Sequence, residues 1–180
     1  MQNSRTMELR KVSLIVLLSV NILAYSQEKT TLLKTQLYST QIGYKSHLFQ
    51  GEEFTTKKTV SLDSLKGKYV LLDFWYDKCA PCIKEFPNLK ELYTKTNRTQ
   101  FEIIGIAGHS TSEGIKKLID QYEITWPQIW SDEIVSIYGI NSFPSTFILD
   151  TEGVIVAKNL RGKELEEKIL KLIEEKNASR

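Results

Sequence analysis

Two nearly continuous apolar runs constrain the fold of this chain more than any other feature of its sequence. "YVLLDFW" occupies positions 69–75 and "FEIIGIA" occupies positions 101–107. Runs of this kind are typical of strands that are buried on both faces. Between them, apolar residues recur at helical spacing from Pro81 to about Lys95, and Pro87 is expected to kink this helix. The order strand, helix, strand predicts parallel central strands.

The remaining segments extend this α/β plan. "TVSLDSLKGK" begins like a strand and turns at Gly67, whereas "ITWPQIW" is predicted to be irregular. Residues 111–122 predict a helix capped by Ser112, and "DEIVSIYGI" predicts a short helix that ends at Gly139. "STFILD" and "VIVAK" flank the tight turn "TEG", so they predict a β-hairpin. An amphipathic helix over 163–176 closes the chain, and helices are expected on both faces of the sheet.

The N-terminus has the pattern of an export signal. Arg10 and Lys11 precede an apolar run over 12–24, and "AYSQ" supplies small residues for cleavage after Ser26. The run is shorter than the roughly 20 residues that a bilayer span needs. We therefore predict a signal peptide over 1–26, with an uncleaved membrane anchor as the alternative.

The rest of the chain is predicted to form a polar lead-in segment, 27–45, and one globular domain, 46–178. The 180-residue chain is 41% hydrophobic and 26% charged, which is typical of a globular protein. Residues 1–26 carry three basic side chains and one acidic one, so the remainder has 21 of each. This balance argues against a nucleic-acid-binding surface, which needs clustered positive charge.

The only two cysteines, Cys79 and Cys82, stand where the first buried strand meets the first helix. The free N–H groups and the dipole at a helix N-terminus favour a thiolate over a thiol. A thiolate at Cys79 could attack a disulfide, and Cys82 could then resolve the mixed disulfide. Pro81 suits the first helical turn. Because Ala80 and Pro81 add no charge between the sulfurs, we expect a fairly reducing couple.

A structural disulfide and a metal site are the other interpretations of this pair. Exported proteins commonly use cysteines as structural disulfides. However, a mature chain of about 150 residues can bury its own core, and a bridge between positions three apart closes a very short loop. A zinc site usually has four ligands, and the two histidines, His47 and His109, fit no ligand spacing with the cysteines. The redox interpretation is therefore favoured, and no metal ligand is assigned.

Four motifs resemble those of one family. "LLDFWYDKCAPC" resembles the active-site strand of the thioredoxin superfamily, and "CAPCIKEFP" is similar to the TlpA/ResA-like branch of exported thiol-disulfide oxidoreductases. "NSFPSTFILDTEGVIV" resembles the cis-proline loop and hairpin of that branch, and "LRGKELEEKI" its final turn and helix. The resemblance covers about 46–178. It implies a thioredoxin fold with a central mixed β-sheet, helices on both faces and an N-terminal β extension.

The resemblance also implies roles for individual residues. Cys79 would attack and Cys82 would resolve. Pro144 would be the cis-proline that faces the disulfide, and Phe143 would offer backbone pairing to a bound peptide. Glu85 matches the glutamate of the pattern C-x-x-C-x-x-E-F-P, where it tunes the cysteines and moves protons. The alternative for Glu85 is a first-turn carboxylate that its own helix dipole stabilises.

Asp73 and Trp75 lie in the strand that leads to the cysteines. Asp73 corresponds to the buried aspartate of thioredoxin, the proposed general base for Cys82. A buried carboxylate has a raised pKa and costs stability unless it has partners; the alternative is an aspartate at a solvated strand end. Trp75 corresponds to the first tryptophan of the motif and is expected beside the dithiol, as part of the substrate-binding surface. Trp126 and Trp130 are expected in the core or at its rim.

Two features depart from the family pattern. Lys78 stands where the family commonly has a tryptophan, and its charge should lower the pKa of Cys79, with Asp77 as an offset. The Pro-Asp-Phe entry motif appears only as "EEF" over 52–54. His109 follows the second central strand and is expected to be a surface residue.

The expected function is thiol-disulfide exchange with exported proteins, in the periplasm or otherwise outside the cytosol, with the Cys79–Cys82 couple as the only redox group and no cofactor. Its partners would be protein dithiols and disulfides, as in cytochrome c maturation, and a membrane-linked electron donor; we expect a monomer. A peroxiredoxin-like peroxidase is an alternative, although the Pro-x-x-x-Thr-x-x-Cys setting is missing before Cys79. A non-enzymatic metal or haem-delivery module is another, although both methionines, Met1 and Met7, lie in the signal region.

Overall fold

The computed structural model describes residues 20–27 and 38–178, and the two apolar runs lie at its centre. The strands are β1 (Gln50–Glu52), β2 (Thr59–Ser61), β3 (Tyr69–Trp75), β4 (Phe101–Ala107), β5 (Gln128–Trp130), β6 (Ser145–Leu149) and β7 (Ile155–Lys158). The helices are α1 (Ala80–Lys95), α2 (Ser112–Tyr122), α3 (Asp132–Ile137) and α4 (Gly162–Ala178), with a 3₁₀ turn at Leu62–Leu65.

A mixed five-stranded sheet in the order β5-β4-β3-β6-β7 forms the centre of the fold. β3 pairs in parallel with β4, and β4 pairs in parallel with β5, whereas β6 and β7 are antiparallel. The predicted mixed sheet and terminal hairpin are therefore confirmed. The prediction that "ITWPQIW" is irregular is wrong, because its last three residues form β5 at the edge of the sheet.

Both faces of the sheet are covered, as predicted. Leu71 and Trp75 of β3 pack with the two cysteines and with apolar residues of α1, α2 and α4. Phe74 packs on the opposite face with residues of α3 and the 3₁₀ turn. Successive side chains of a strand point to opposite faces, so Asp73, between Leu71 and Trp75 in this alternation, belongs to the face that carries the cysteines.

The N-terminal β extension is a separate two-stranded antiparallel sheet of β1 and β2. It is joined to the edge of the main sheet by "EEF". Glu53 forms a bridge with Ile129 of β5, and the N–H of Phe54 donates to the carbonyl of Gln128 at 2.7 Å. The Glu53 carboxylate accepts hydrogen bonds from the backbone N–H groups of Thr55 and Thr56, so the departure from the family's entry motif still yields an ordered turn.

The helix termini follow from their capping residues. α1 begins after Cys79 with a proline in its first turn, and it continues through Pro87. The Thr111 hydroxyl caps α2 by accepting the N–H of Gly114 at 3.0 Å. The prediction that Ser112 caps this helix is wrong by one position: Ser112 is its first helical residue.

The predicted signal peptide, 1–26, and lead-in, 27–45, fall largely outside the described residues. Of these segments, 20–27 is helical and exposed, and 38–45 includes a β-bridge between Lys45 and Val154. Within the described part of the chain, every helix is too short or too polar to cross a membrane.

Candidate active site

Cys79 and Cys82 form a disulfide at the junction of β3 and α1. Cys79 is the N-cap residue of α1, its Cα lies 5.2 Å from that of Cys82, and the Cys82 N–H donates to its sulfur at 3.2 Å. Both residues are buried, with 1% and 2% of their surface exposed. The predicted position at a helix N-terminus is confirmed. In the reduced protein, a thiolate at this N-cap would be stabilised by that N–H and by the helix dipole.

The loop before the cysteines is fixed to α2 through Asp77. Its N–H donates to the Ser110 hydroxyl at 2.9 Å, and its carboxylate accepts the Thr111 N–H at 3.0 Å and the Thr111 hydroxyl at 2.8 Å. Burial raises the pKa of Asp77, but the hydrogen bonds from Thr111 and the charge of Lys78 outweigh it, so the pKa lies below its usual value. Asp77 therefore anchors the loop, and Lys78 stays exposed beside Cys79.

Asp73 is a buried carboxylate in the centre of the sheet. It retains 3% of its surface exposed and lies between Gly105 of β4 and Thr146 of β6. Burial raises the pKa of Asp73 to about 7; the negative charge of Glu85 raises it as well, and the positive charge of Arg161 lowers it. The alternative of a solvated strand end is therefore wrong. A group with this pKa can take up or release a proton near neutral pH.

Glu85 binds the N-terminus of a helix other than its own. Its carboxylate accepts the backbone N–H of Gly162, the first residue of α4, at 2.9 Å, and the side-chain amide of Asn88 lies at 3.4 Å. As the sixth residue of α1, Glu85 lies beyond the first turn. The alternative of a first-turn carboxylate is therefore wrong, because the dipole that it faces belongs to α4.

The loop before β6 contains the expected cis bond, between Phe143 and Pro144. Pro144 is buried, and its carbonyl accepts a hydrogen bond from Nη2 of Arg161 at 2.6 Å. Phe143 is half-buried and packs against the group of side chains that contains both cysteines. Its ring lies edge-on to Tyr76 at 5.3 Å and to His109 at 5.9 Å. The cis-proline loop thus contributes an aromatic side chain to the packing around the cluster that contains the dithiol.

His109 is a surface residue, as expected. It is exposed, its backbone N–H donates to Oδ1 of Asp132 at 2.6 Å, and its Nδ1 lies 3.4 Å from the same oxygen. The sequence did not indicate its contact with Phe143, which depends on the folding of two distant loops.

Trp75 is completely buried, so its assignment to a substrate-binding surface is corrected. The ring packs edge-on against Phe86 at 5.2 Å, and its N–H donates to the side-chain oxygen of Gln128 at 2.9 Å. Its predicted place beside the dithiol is confirmed, since it packs in the same cluster as both cysteines. Trp126 is buried and Trp130 is 46% exposed, in agreement with core and rim positions.

Sequence reasoning missed Arg161 and Gly162 as parts of this site. Arg161 immediately precedes α4 and Gly162 is its first residue, and their contacts with Pro144 and Glu85 span 17 and 77 positions of the chain. In the described residues, the His, Cys, Asp and Glu side chains form no group of three or more that could hold a metal ion.

Comparisons with known proteins agree with this geometry. The model of the AhpC/TSA family matches residues 42–158. ResA of Bacillus anthracis, a thiol-disulfide oxidoreductase, is 33% identical over 131 residues, which are 72% of this chain and 75% of that relative. ResA of Bacillus subtilis is 29% identical over 106 residues, 58% of this chain and 59% of that relative.

Solved structures show the same fold. The thioredoxin domain of a thiol-disulfide oxidoreductase from Bacteroides vulgatus is 33% identical, with a TM-score of 0.69 over 74% of this chain and 98% of that one. A thiol:disulfide interchange protein from a Bacteroides species is 33% identical, with a TM-score of 0.67 over 74% of this chain and 91% of that one. The chain therefore belongs to the AhpC/TSA family of thioredoxin-like proteins and is a thiol-disulfide oxidoreductase similar to ResA.

Proposed function

We propose that Cys79 and Cys82 are the redox couple of this oxidoreductase and that it reduces disulfides in exported proteins. The observation that carries the proposal is the Cys79–Cys82 disulfide with Cys79 at the N-cap of α1. Ala80 and Pro81 place no charge or imidazole between the sulfurs, so the helix terminus and the adjacent Lys78 are the groups expected to favour the thiolate. A couple of this kind is less oxidising than one whose thiolate has further stabilising groups.

The reaction has two exchange steps. The Cys79 thiolate attacks a partner disulfide, a mixed disulfide forms, and the released partner thiolate takes up a proton. The Cys82 thiol then gives its proton to Asp73, and its sulfur attacks that of Cys79. The second partner thiolate leaves and is protonated, so the partner gains two electrons and two protons. Because both cysteines are buried in the disulfide form, the groups around them must move aside before an electron donor can attack this disulfide.

The neighbouring residues have supporting roles in this proposal. Asp73 accepts the proton because its pKa of about 7 allows both protonation states near neutral pH. The negative charge of Glu85 raises the pKa of Asp73. Phe143 and Pro144 present the backbone on which a peptide docks beside the disulfide. No cofactor is required beyond the dithiol itself.

Export and the reducing partner complete the proposal. The charged and apolar pattern over 1–26 supports secretion to the periplasm or another compartment outside the cytosol. There the protein, as a monomer, would use its dithiol to keep exported cysteines reduced, including those of apocytochromes. The electrons would come from a membrane-linked dithiol donor. Mass spectrometry of the exported protein would give an N-terminus at Gln27 if the segment is cleaved, and an intact N-terminus if it is an anchor.

The reduction potential of the couple tests the direction of the reaction. Purified protein is equilibrated in dithiothreitol or glutathione buffers, and the thiols are trapped and counted. A value of about −270 mV or lower supports a reductant, whereas a value of about −120 mV reverses the direction. A pair that remains oxidised in every buffer would identify a structural disulfide instead.

The Cys82→Ser variant should accumulate a mixed disulfide with a partner, and Cys79→Ser should not.

A thiol peroxidase is the second candidate, because the matching family model carries the AhpC/TSA name. Consumption of hydrogen peroxide by the reduced protein separates the two functions. The proposed oxidoreductase should react with a peptide disulfide much faster than with peroxide, and the opposite order would favour the peroxidase.

A further inference from the structure

We propose that Arg161 is a positioning residue for thiol-disulfide exchange, which holds the carbonyl of the cis-proline loop and supplies a positive charge that acts on the Asp73 carboxylate. This inference rests on the proposed function, because it adds a residue to the same site. It concerns the segment 159–162, which connects β7 to α4 and lies outside the recognised dithiol motif.

The first half of this segment is tied to the strand that neighbours Asp73. The N–H of Asn159 donates to the carbonyl of Thr146 at 2.8 Å, and the Thr146 hydroxyl donates to the carbonyl of Leu160 at 3.0 Å. Thr146 is the partner of Asp73 in the pairing of β6 with β3. The backbone before Arg161 is therefore held against the strand pair that carries the buried acid.

The second half of the segment, Arg161 and Gly162, contacts the cis-proline loop and Glu85. Nη2 of Arg161 donates to the carbonyl of Pro144 at 2.6 Å, and the N–H of Gly162 donates to the Glu85 carboxylate at 2.9 Å. Two adjacent residues thus fasten the cis-proline loop and Glu85 of α1 to one point of the chain.

The backbone of the segment sets this direction. Asn159 and Gly162 both have left-handed conformations, with φ of 57° and 53°. Asparagine and glycine tolerate this region better than other residues. Asn159 and Gly162 change the direction of the backbone on either side of Leu160 and Arg161. The chain therefore leaves the line of β7, and the Arg161 side chain points toward Pro144.

The charges explain why an arginine serves at this position. Burial raises the pKa of Asp73 first and the Glu85 carboxylate raises it further, while the Arg161 guanidinium lowers it. These two charged groups belong to α1 and to the segment 159–162. Without the cation, a smaller fraction of Asp73 would be ionised at pH 7, so fewer molecules could accept the proton of Cys82.

The decisive experiment is a titration of Asp73 in the full-length, oxidised protein. The side-chain carboxyl is followed by carbon NMR, and Asp73→Asn identifies its signal. Arg161→Gln should raise the midpoint by at least half a pH unit, and Arg161→Lys should restore most of this shift because it restores the charge. Lys163→Gln removes the same charge two positions further along α4, where Lys163 is 87% exposed, and should leave the midpoint unchanged.

A kinetic measurement connects the titration to exchange. The reduced protein is mixed with a peptide disulfide across pH 5 to 9, and the pH profile of Arg161→Gln should move upward with a severalfold lower rate at pH 7. If Arg161→Gln does not fold, Arg161→Met, which preserves side-chain length, takes its place in both measurements. An unchanged Asp73 midpoint in the substituted protein, or an equal shift in Lys163→Gln, would overturn the inference.

The two readouts separate this inference from the proposed function. The titration is made on the disulfide form and needs no turnover, so it reports on Arg161 even if the wild-type protein fails to reduce the peptide. Failure of wild-type exchange with a normal Arg161 effect on Asp73 would count against the proposed function alone. Normal exchange by Arg161→Gln at every pH would count against Arg161 alone.

Discussion

The carboxylate of Glu85 accepts a hydrogen bond from the backbone N–H of Gly162 at 2.9 Å. Glu85 belongs to α1, the helix that begins at the dithiol, and Gly162 is the first residue of α4. The free N–H groups and the positive end of the dipole at a helix N-terminus favour an anion. The contact therefore joins the two helices and keeps a negative charge on the sheet face that carries Asp73.

The first prediction concerns the stability that this contact provides. Glu85→Ala should lower the free energy of unfolding by about 1–2 kcal/mol, because the N–H of Gly162 loses a charged acceptor in a partly buried position. Glu85→Gln keeps an acceptor and should cost less. Urea unfolding of the oxidised proteins measures both. The control is Glu91→Ala, since Glu91 is 59% exposed and pairs only with Lys95 on the surface of the same helix; equal costs for Glu85→Ala and Glu91→Ala would contradict the prediction.

The second prediction concerns the pH dependence of stability. The folded protein raises the pKa of Asp73 from 3.8 to about 7. Between these values the folded state holds a proton that the unfolded state has lost, so the free energy of unfolding should fall as the pH rises and then level off above pH 7. Asp73→Asn cannot ionise and should lack this decline.

Urea unfolding of the oxidised proteins between pH 4.5 and 8.5 measures this effect. The difference in unfolding free energy, Asp73→Asn minus wild type, should increase by about 2–4 kcal/mol across the range. Parallel curves for the two proteins would show that Asp73 already ionises at its ordinary pKa in the folded state.

The central fold could be predicted from sequence because it depends on local patterns. The run 69–75, the helix after Cys79 and the run 101–107 each carry their own signal, and the structure places them as β3, α1 and β4. β5 could not be predicted in the same way. Its three residues are too few for a periodic pattern, and Gln128, a polar residue, is buried with its side chain hydrogen-bonded to Trp75 and to the carbonyl of Trp126.

The residues of the site also differ in whether a local pattern could predict them. The cysteines and the cis-proline belong to contiguous motifs and were predicted at their observed positions. The partners of Glu85 and the contact of Arg161 with Pro144 depend on chain segments that only folding brings together. Trp75 shows the limit of a motif: the sequence placed it beside the dithiol, but whether neighbouring elements cover a strand end is decided by packing.

The third prediction concerns the close approach of β4 and β5. A Cβ at Gly105 would lie 2.1 Å from the side-chain oxygen of Gln128, its partner in the adjacent strand. Gly105→Ala should displace this amide and leave the N–H of Trp75 without its acceptor, at a cost of about 2–3 kcal/mol.

A double-mutant cycle with Gln128→Ala tests this mechanism. Gln128→Ala alone also removes the acceptor, but the double variant contains no clash. Its loss of unfolding free energy, measured by urea titration, should be smaller than the sum of the single losses by more than about 1 kcal/mol. Additive losses would mean that Gly105 is required for a reason other than the Gln128 side chain.

The last prediction concerns the loop that positions Cys79. A Cβ at Gly114 would lie 2.1 Å from Oδ2 and 2.7 Å from Cβ of Asp77. Gly114→Ala should therefore expel the Asp77 carboxylate from its hydrogen bonds with Thr111 and destabilise the protein by about 1–2 kcal/mol. In the Asp77→Gly background, which lacks both Oδ2 and Cβ, the clash disappears, and the same substitution should stabilise α2 by up to about 1 kcal/mol, because alanine favours a helix over glycine. Urea unfolding of the four proteins measures the sign of the Gly114→Ala effect in each background, and a loss of similar size in both would contradict the role assigned to Asp77.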